Sequence, residues 1–474
     1  MPQPKVSLRN DSLKLFKGAL TGRAINFMLN TSMSRILGPE GLGLFSLILS
    51  TSQTFEITAR CGIDYGLQCE LTKNQPQHAE ETVGKDITTV ALYWTWLATS
   101  LLVILLIAWV STFQGLLGRD LPINRSATIV FLAIIVVAES LGGLPWDILL
   151  VQGQTRLVAL RQGLFAPLKI LFAVIGSSLA GISGALLAYA LACSAQTFWI
   201  QKRIEPFISR KGIPPQFWSK AGKLIGTGLP LYVTNALSAM VFLPLLAGVA
   251  IEVGISDVGY LRIGQLVVQL FTLIPGAIAP ILFLKLRQKK GDSNRIKESE
   301  KPLQFVWSLG LISLLIYCVI DRFIINWLFG SEFLPSIEAT RILVLCAVLD
   351  SSSQILYTPL LASEKTRLFA FVQNASAITA GVIGWIFIPK MGLEGYLMAK
   401  ISFAYIPAFS YSAGAIKISE QPRSIICLLI ASVCLLPLCW SSNWGGFSQQ
   451  VLLFITIAAL ISIYLPSNII GNQR

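Results

Sequence analysis

Six basic side chains stand inside long apolar runs of this sequence: Arg23, Lys169, Arg262, Arg322, Arg341 and Lys400. Carboxylates stand there too, among them Glu56, Glu139, Asp147, Glu338 and Asp350. A charge in hydrocarbon is costly unless it is paired or faces a wet cavity. Arginine presents a planar fork that fits phosphate oxygens. Arg23 and Arg262 are therefore the first candidates for binding a phosphate-bearing group, with Lys169 and Lys400 behind them. The competing reading pairs each base with a neighbouring acid. It suits Arg322 beside Asp321, and Arg341 with Glu338 three residues away on one helical face. Glu139 and Asp350 either pin helices together or couple a cation to movement, since a carboxylate out of water can hold and release a proton.

These residues need elements to hold them, and composition says which. The chain has 474 residues, 54% hydrophobic and 13% charged, against about 25% charged in soluble domains. The mean hydropathy is +0.67. The expected class is an all-α polytopic membrane protein. Runs near the 20 residues needed to cross hydrocarbon lie at 13–34, 41–62, 87–111, 127–150, 157–179, 183–200, 222–248, 257–284, 304–328, 337–361, 367–388, 393–416, 424–440 and 449–466. That is about 14 transmembrane helices. Of the 37 Lys and Arg residues, 27 fall on one side of this arrangement, 4 on the other and 6 inside the segments. The bias places both termini in the cytoplasm. It also accounts for the net charge of +13 without nucleic acid, and it makes the basic run 285–301 a topology anchor.

No connecting loop has room for a soluble catalytic domain, so an enzyme is not expected. The eight cysteines form no CxxC pair, His78 is the only histidine, and no GxxxxGK[ST] motif is present. No metal site, disulfide framework, cofactor or ATP-driven step is expected. Tryptophans such as Trp199, Trp218, Trp307 and Trp327 fall near segment ends, as in an interfacial belt. Gly142-Gly143 with Pro145, and Pro275 with Pro280, are places where a helix could bend.

The chain repeats itself. Leu37-Gly-Pro-Glu-Gly-Leu-Gly43 lies on Val253-Gly-Ile-Ser-Asp-Val-Gly259 at an offset of 216, and Leu150–Leu157 lies on Leu361–Leu368 at 211. The second offset carries Glu139 onto Asp350 and Gly181-Ile-Ser-Gly184 onto Gly392-Leu-Glu-Gly395. An even number of helices per copy gives a parallel repeat, as in transporters built from two six-helix halves. The expected layout is two six-helix pseudo-symmetric bundles, 1–200 and 222–416. A cytoplasmic linker, 201–221, joins them, and a C-terminal helix pair, 417–474, follows. Each glycine-rich stretch then turns between the first two helices of a bundle on the external side.

ILGPEGLGLFSL, the paired turns LLVQGQTRL and LLASEKTRL, and the late GLEGYLMAK resemble the polysaccharide-unit (O-antigen type) flippases. Those belong to the multidrug/oligosaccharidyl-lipid/polysaccharide exporter superfamily. The resemblance implies bundles around a central cavity and translocation of undecaprenyl-diphosphate-linked oligosaccharide across the bacterial inner membrane by alternating access. It also implies membrane lipids, a polysaccharide polymerase and glycosyltransferases as partners. One departure is that 62–73, after the second segment, carries no arginine. The rival within the superfamily is a cation-coupled multidrug exporter, for which an acidic, aromatic cavity would be expected.

Overall fold

Inside a bilayer the backbone must satisfy its own hydrogen bonds, and a helix does so segment by segment. The structure, a computed structural model, describes residues 8–73, 81–108, 125–152, 154–209, 212–214, 216–287, 292–363, 366–416 and 422–440. No strand occurs among the described residues. α1 (Leu8–Arg60) carries the first two expected segments. They part at Gly38, whose φ of 66° only glycine adopts without strain, and Pro39 begins the second arm. α2 (Ile63–Lys73) is a short helix that the segment count did not foresee. α3 (Glu81–Ala108) and α4 (Arg125–Val151) are single segments.

α5 (Thr155–Leu160) runs through a π-helical turn, Arg161–Phe165, into α6 (Ala166–Ile204), which kinks at Ala180 and Gly181 between the fifth and sixth segments. α7 (Phe217–Glu252) follows. The eighth segment is divided into α8 (Ile255–Phe271) and α9 (Leu273–Arg287). α10 (Asp292–Leu328), α11 (Ile337–Ala362), α12 (Thr366–Met391), α13 (Leu393–Ile416) and α14 (Pro422–Trp440) complete the described helices. Six stretches among the described residues are long and apolar enough to cross a membrane: 84–106, 127–151, 156–207, 217–252, 294–328 and 367–391. The fourteenth expected segment, 449–466, and His78 lie outside the described residues.

The chain divides into two compact units, Met1–Gly259 and Tyr260–Arg474. The first packs Leu67, Val90, Leu144, Trp146, Ile200 and Leu224 into one core. Trp146 stacks near Phe165 and Trp199, at 5.8 and 6.1 Å between ring centroids. Trp199 is thus a packing residue of this core. In the second unit α11 is buried along nearly its whole length, as suits a helix apolar on all sides. Trp307 is likewise fully buried, and its ring N–H donates to Ser432 Oγ at 3.0 Å. Tyr405 Oη donates to the Ser432 carbonyl at 2.7 Å. These two bonds fasten α14, which lies outside the repeat, to α10 and α13.

Two expected ion pairs are different in the structure. Arg341 bonds Asp321 across α10 and α11 instead of Glu338, and both side chains are buried, 5% and 2% exposed. Arg322 is exposed, because consecutive residues on a helix point about 100° apart and cannot share one partner face. The basic run at 285–301 is partly folded back on itself: Lys285 pairs with Glu298, and Arg295 Nε donates to the Leu286 carbonyl at 3.1 Å.

Removing one member of a buried pair leaves an uncompensated charge, at about 3–5 kcal/mol. Arg341→Met should therefore lower the unfolding temperature of the purified protein sharply. Arg341→Met with Asp321→Leu should recover most of the loss, because no charge remains to be buried. Equal losses in the single and double variants would show that the pair is not what holds α10 to α11.

Candidate functional site

The repeat-equivalent carboxylates lie one in each unit, and each has a lysine. Glu139 projects from α4. Lys169 on α6 donates to its Oε1 at 2.6 Å. Tyr189 Oη and Cys193 Sγ, one turn apart on the same helix, reach the same oxygen at 3.3 and 3.2 Å. Three donors thus converge on one acceptor, with the side chains of Lys169 and Glu139 only 13% and 18% exposed. In the second unit Asp350 on α11 has Lys400 on α13 as the charge that acts on it. Lys400 lies 5.8 Å from the Tyr396 ring centroid and 6.0 Å from that of Phe403.

The carboxylate keeps its place between the copies, but the lysine does not. The 211 offset puts Lys400 over Tyr189, and Ala380 over Lys169. In the first unit a lysine, a tyrosine and a cysteine, Lys169, Tyr189 and Cys193, converge on the acid; in the second, Lys400 lies beside the Tyr396 and Phe403 rings.

Arg23 lies in the first unit, half-buried on α1. It follows Gly22, where an added Cβ would come within 1.8 Å of the Gln162 carbonyl oxygen in the π turn. That close approach presses α1 against the start of the fifth segment and fixes where Arg23 emerges. Arg262 lies in the second unit, on α8, and its Nη1 donates to Gln265 Oε1 at 3.4 Å, one turn further along. The structure thus bonds Lys169 to Glu139 in the first unit, and in the second Lys400 is the charge that acts on Asp350.

Sequence reasoning missed a polar cavity. It counted Arg60 among the cytoplasmic loop charges. In the structure Arg60 ends α1 with a side chain 12% exposed. It pairs with Glu56 one turn back, with Asp147 on α4 at 3.5 Å, and with Asp64 at 3.7 Å. Gln68 Nε2 donates to the other Asp147 oxygen at 3.5 Å. A cavity of about 460 Å³ adjoins this cluster, lined by Glu56, Arg60, Asp64, Tyr65, Tyr232 and Asn235 among others. Asn235 Nδ2 donates to Tyr65 Oη at 2.9 Å across it. Three carboxylates thus meet one guanidinium. The signal was present in the sequence as Glu56, Arg60 and Asp64, spaced four residues apart.

Gly142-Gly143 also has another role than the expected bend. α4 continues unbroken through it. A Cβ on Gly143 would fall 1.4 Å from Arg60 Nη2 and 2.8 Å from Glu56 Oε1, so this glycine provides the space the guanidinium fills. Gly143→Ala should displace Arg60 and reproduce the functional loss of Arg60→Ala at near-normal expression, while Gly222→Ala, which meets nothing within 4 Å, should be silent. Transport and melting temperature measured together check this, and a fully active Gly143→Ala would detach Arg60 from function. For the first carboxylate, a double-mutant cycle of Glu139→Gln and Lys169→Met should return a coupling above about 1 kcal/mol in thermal stability. Additive losses would mean that the 2.6 Å contact contributes nothing.

No protein family matches the chain by sequence, and no curated protein does. Solved structures match it. The lipid II flippase MurJ, in an inward closed conformation, has a TM-score of 0.71 at 15% identity, over 95% of this chain and 97% of that one. A multidrug resistance MATE family transporter of the MOP superfamily has a TM-score of 0.65 in its inward-facing conformation, at 14% identity over 84% of this chain and 94% of that one. An outward-facing MATE transporter has 0.57, at 14% identity over 86% and 95%. At such identities the likeness is one of fold: this chain is an all-helical, multi-pass membrane protein with the fold of MOP-superfamily transporters.

Proposed function

We propose that the chain is a flippase that carries an undecaprenyl-diphosphate-linked oligosaccharide across the bacterial inner membrane for surface polysaccharide assembly. Both termini lie in the cytoplasm on this reading. The observation that carries it is the set of basic side chains held within helices of both units: Arg23 and Lys169 in the first, Arg262 and Lys400 in the second. A diphosphate needs cationic, fork-shaped donors at membrane depth, and these are costly to keep there for any lesser purpose. Arg23 and Arg262, whose planar forks fit phosphate oxygens, are the leading contacts for the headgroup. Glu139 and Asp350 are the places where a coupling cation would act. The fold shared with a lipid II flippase over nearly the whole chain supports the reading. A polymerase and glycosyltransferases would supply and consume the cargo.

The cavity around Arg60 favours a second reading. Its acidic and aromatic lining suits a cationic cargo, and on that reading the chain is a cation-coupled multidrug exporter.

Complementation separates the two. A strain lacking a polysaccharide-unit flippase should regain surface polysaccharide with the wild-type chain. A charge-assisted hydrogen bond contributes about 1.5–3 kcal/mol. Arg23→Ala or Arg262→Ala should therefore reduce that rescue by about ten- to a hundredfold at matched expression. Rescue that survives both substitutions would remove the two arginines from the site. Failure across several sugar types, together with resistance to cationic dyes, would establish the exporter instead.

A further inference from the structure

The two copies of the glycine motif touch each other. Leu37–Gly43 and Val253–Gly259 were aligned on sequence, at an offset of 216. In each copy a glycine of positive φ makes the turn, Gly38 at 66° and Gly254 at 141°. A new helical arm starts at the next residue, Pro39 or Ile255, and a second glycine follows four residues on. A Cβ on Gly43 would fall 2.0 Å from the Ile255 carbonyl oxygen, and one on Gly259 would fall 2.1 Å from the Pro39 carbonyl oxygen. Pro39 and Ile255 are themselves equivalent at the offset of 216. The contact is therefore reciprocal: each glycine receives the first carbonyl of the other copy's helix, as in an interface across a two-fold axis. All four residues belong to the first unit.

The geometry explains the motif's spacing. The turn glycine sets where the new helix begins. One helical turn later the second glycine faces the same way as that helix's first carbonyl. Backbones then approach as closely as Cα–H···O contacts allow, and any side chain at either position forbids it. Leu42, Phe45 and Val258, neighbours of the two glycines in sequence, are buried at 0% exposure. Gly41, inside the same motif, behaves differently: its added Cβ would meet only the Leu37 side chain. Turn formation alone requires Gly38 and Gly254. It does not require Gly43 and Gly259.

We propose that this reciprocal glycine contact is a conformational latch at the end of the molecule opposite the Lys/Arg-rich face, made in the conformation described and released when that end opens. The proposal rests on the transporter reading above, which supplies the sidedness and the alternation. The close approach of the two first turns is between backbones, so parting and rejoining them requires no side chain at Gly43 or Gly259 to find a new partner.

Hydrogen exchange on the full-length protein in lipid nanodiscs tests it. In the wild type, peptides covering 36–48 and 253–266 should exchange at a common rate, because one release frees both. That rate should exceed the rate of the buried 342–349 stretch of α11, which opens only with the fold. Gly43→Ala should raise exchange at 253–266 at least tenfold, and Gly259→Ala should do the same at 36–48. Gly41→Ala should leave 253–266 unchanged. The proposal is overturned if both segments are as protected as 342–349, which would make the contact a fixed joint. It is equally overturned if their rates differ by more than tenfold in the wild type, or if each substitution affects only its own segment. The wild-type measurement decides even where an alanine variant does not fold. Linked exchange in a chain that does not restore surface polysaccharide would leave the latch standing and remove the flippase reading.

Discussion

The 2.6 Å bond from Lys169 to Glu139 joins α6 to α4 within apolar segments, where neither charge could be left alone. Much of the helix arrangement answers to that same constraint. Arg341 and Asp321 impose it on α10 and α11, and Arg60 with its three carboxylates imposes it on α1, α2 and α4. Ordinary apolar packing cannot select a neighbour so strictly, since a lipid tail is as apolar as a leucine. A charge needs one particular partner at one particular height, so these pairs set which helices adjoin and in what register.

The repeat shows how this requirement is met after the copies diverge. The acid stays at one position, as Glu139 and Asp350, while its lysine moves from α6 in the first copy to α13 in the second. What is kept is the local charge balance, not the residue-by-residue pattern. The glycine motif behaves in the opposite way. Its contact is between backbones, and no other residue type can replace the missing Cβ, so Gly38, Gly43, Gly254 and Gly259 keep both identity and spacing.

The membrane-spanning, helical class was legible because hydropathy and helix length are properties of contiguous residues. The turns at Gly38 and Gly181 were legible for the same reason. Pairing across helices was not. Asp321 next to Arg322, and Glu338 three residues before Arg341, looked like pairs because proximity in sequence is all a sequence displays, yet the bond formed is Asp321 to Arg341. The partners of Arg60 were not legible either, since Asp147 lies 87 residues away. The equivalence of Glu139 and Asp350 could be read from the repeat, but the lysine that serves each could not.

Prolines make the same point from the backbone side. Pro145, Pro230 and Pro244 all sit within continuous helices, whereas the eighth expected segment divides at Thr272, three residues before the buried Pro275. Each proline removes one donor and crowds the preceding turn, so proline alone does not determine where a helix breaks. Around Thr272 the chain keeps its ladder on both sides, with Thr272 N–H donating to the Val268 carbonyl at 3.1 Å and Gly276 N–H to the Thr272 carbonyl at 3.1 Å. The break is therefore a bend across which these two hydrogen bonds persist. Such a bend tolerates a change of angle at small cost, because few backbone groups need a new partner when it moves. α8 begins in the first unit at the glycine contact and ends in the second at this bend. A single helix of 17 residues thus has a backbone contact at one end and a bend at the other.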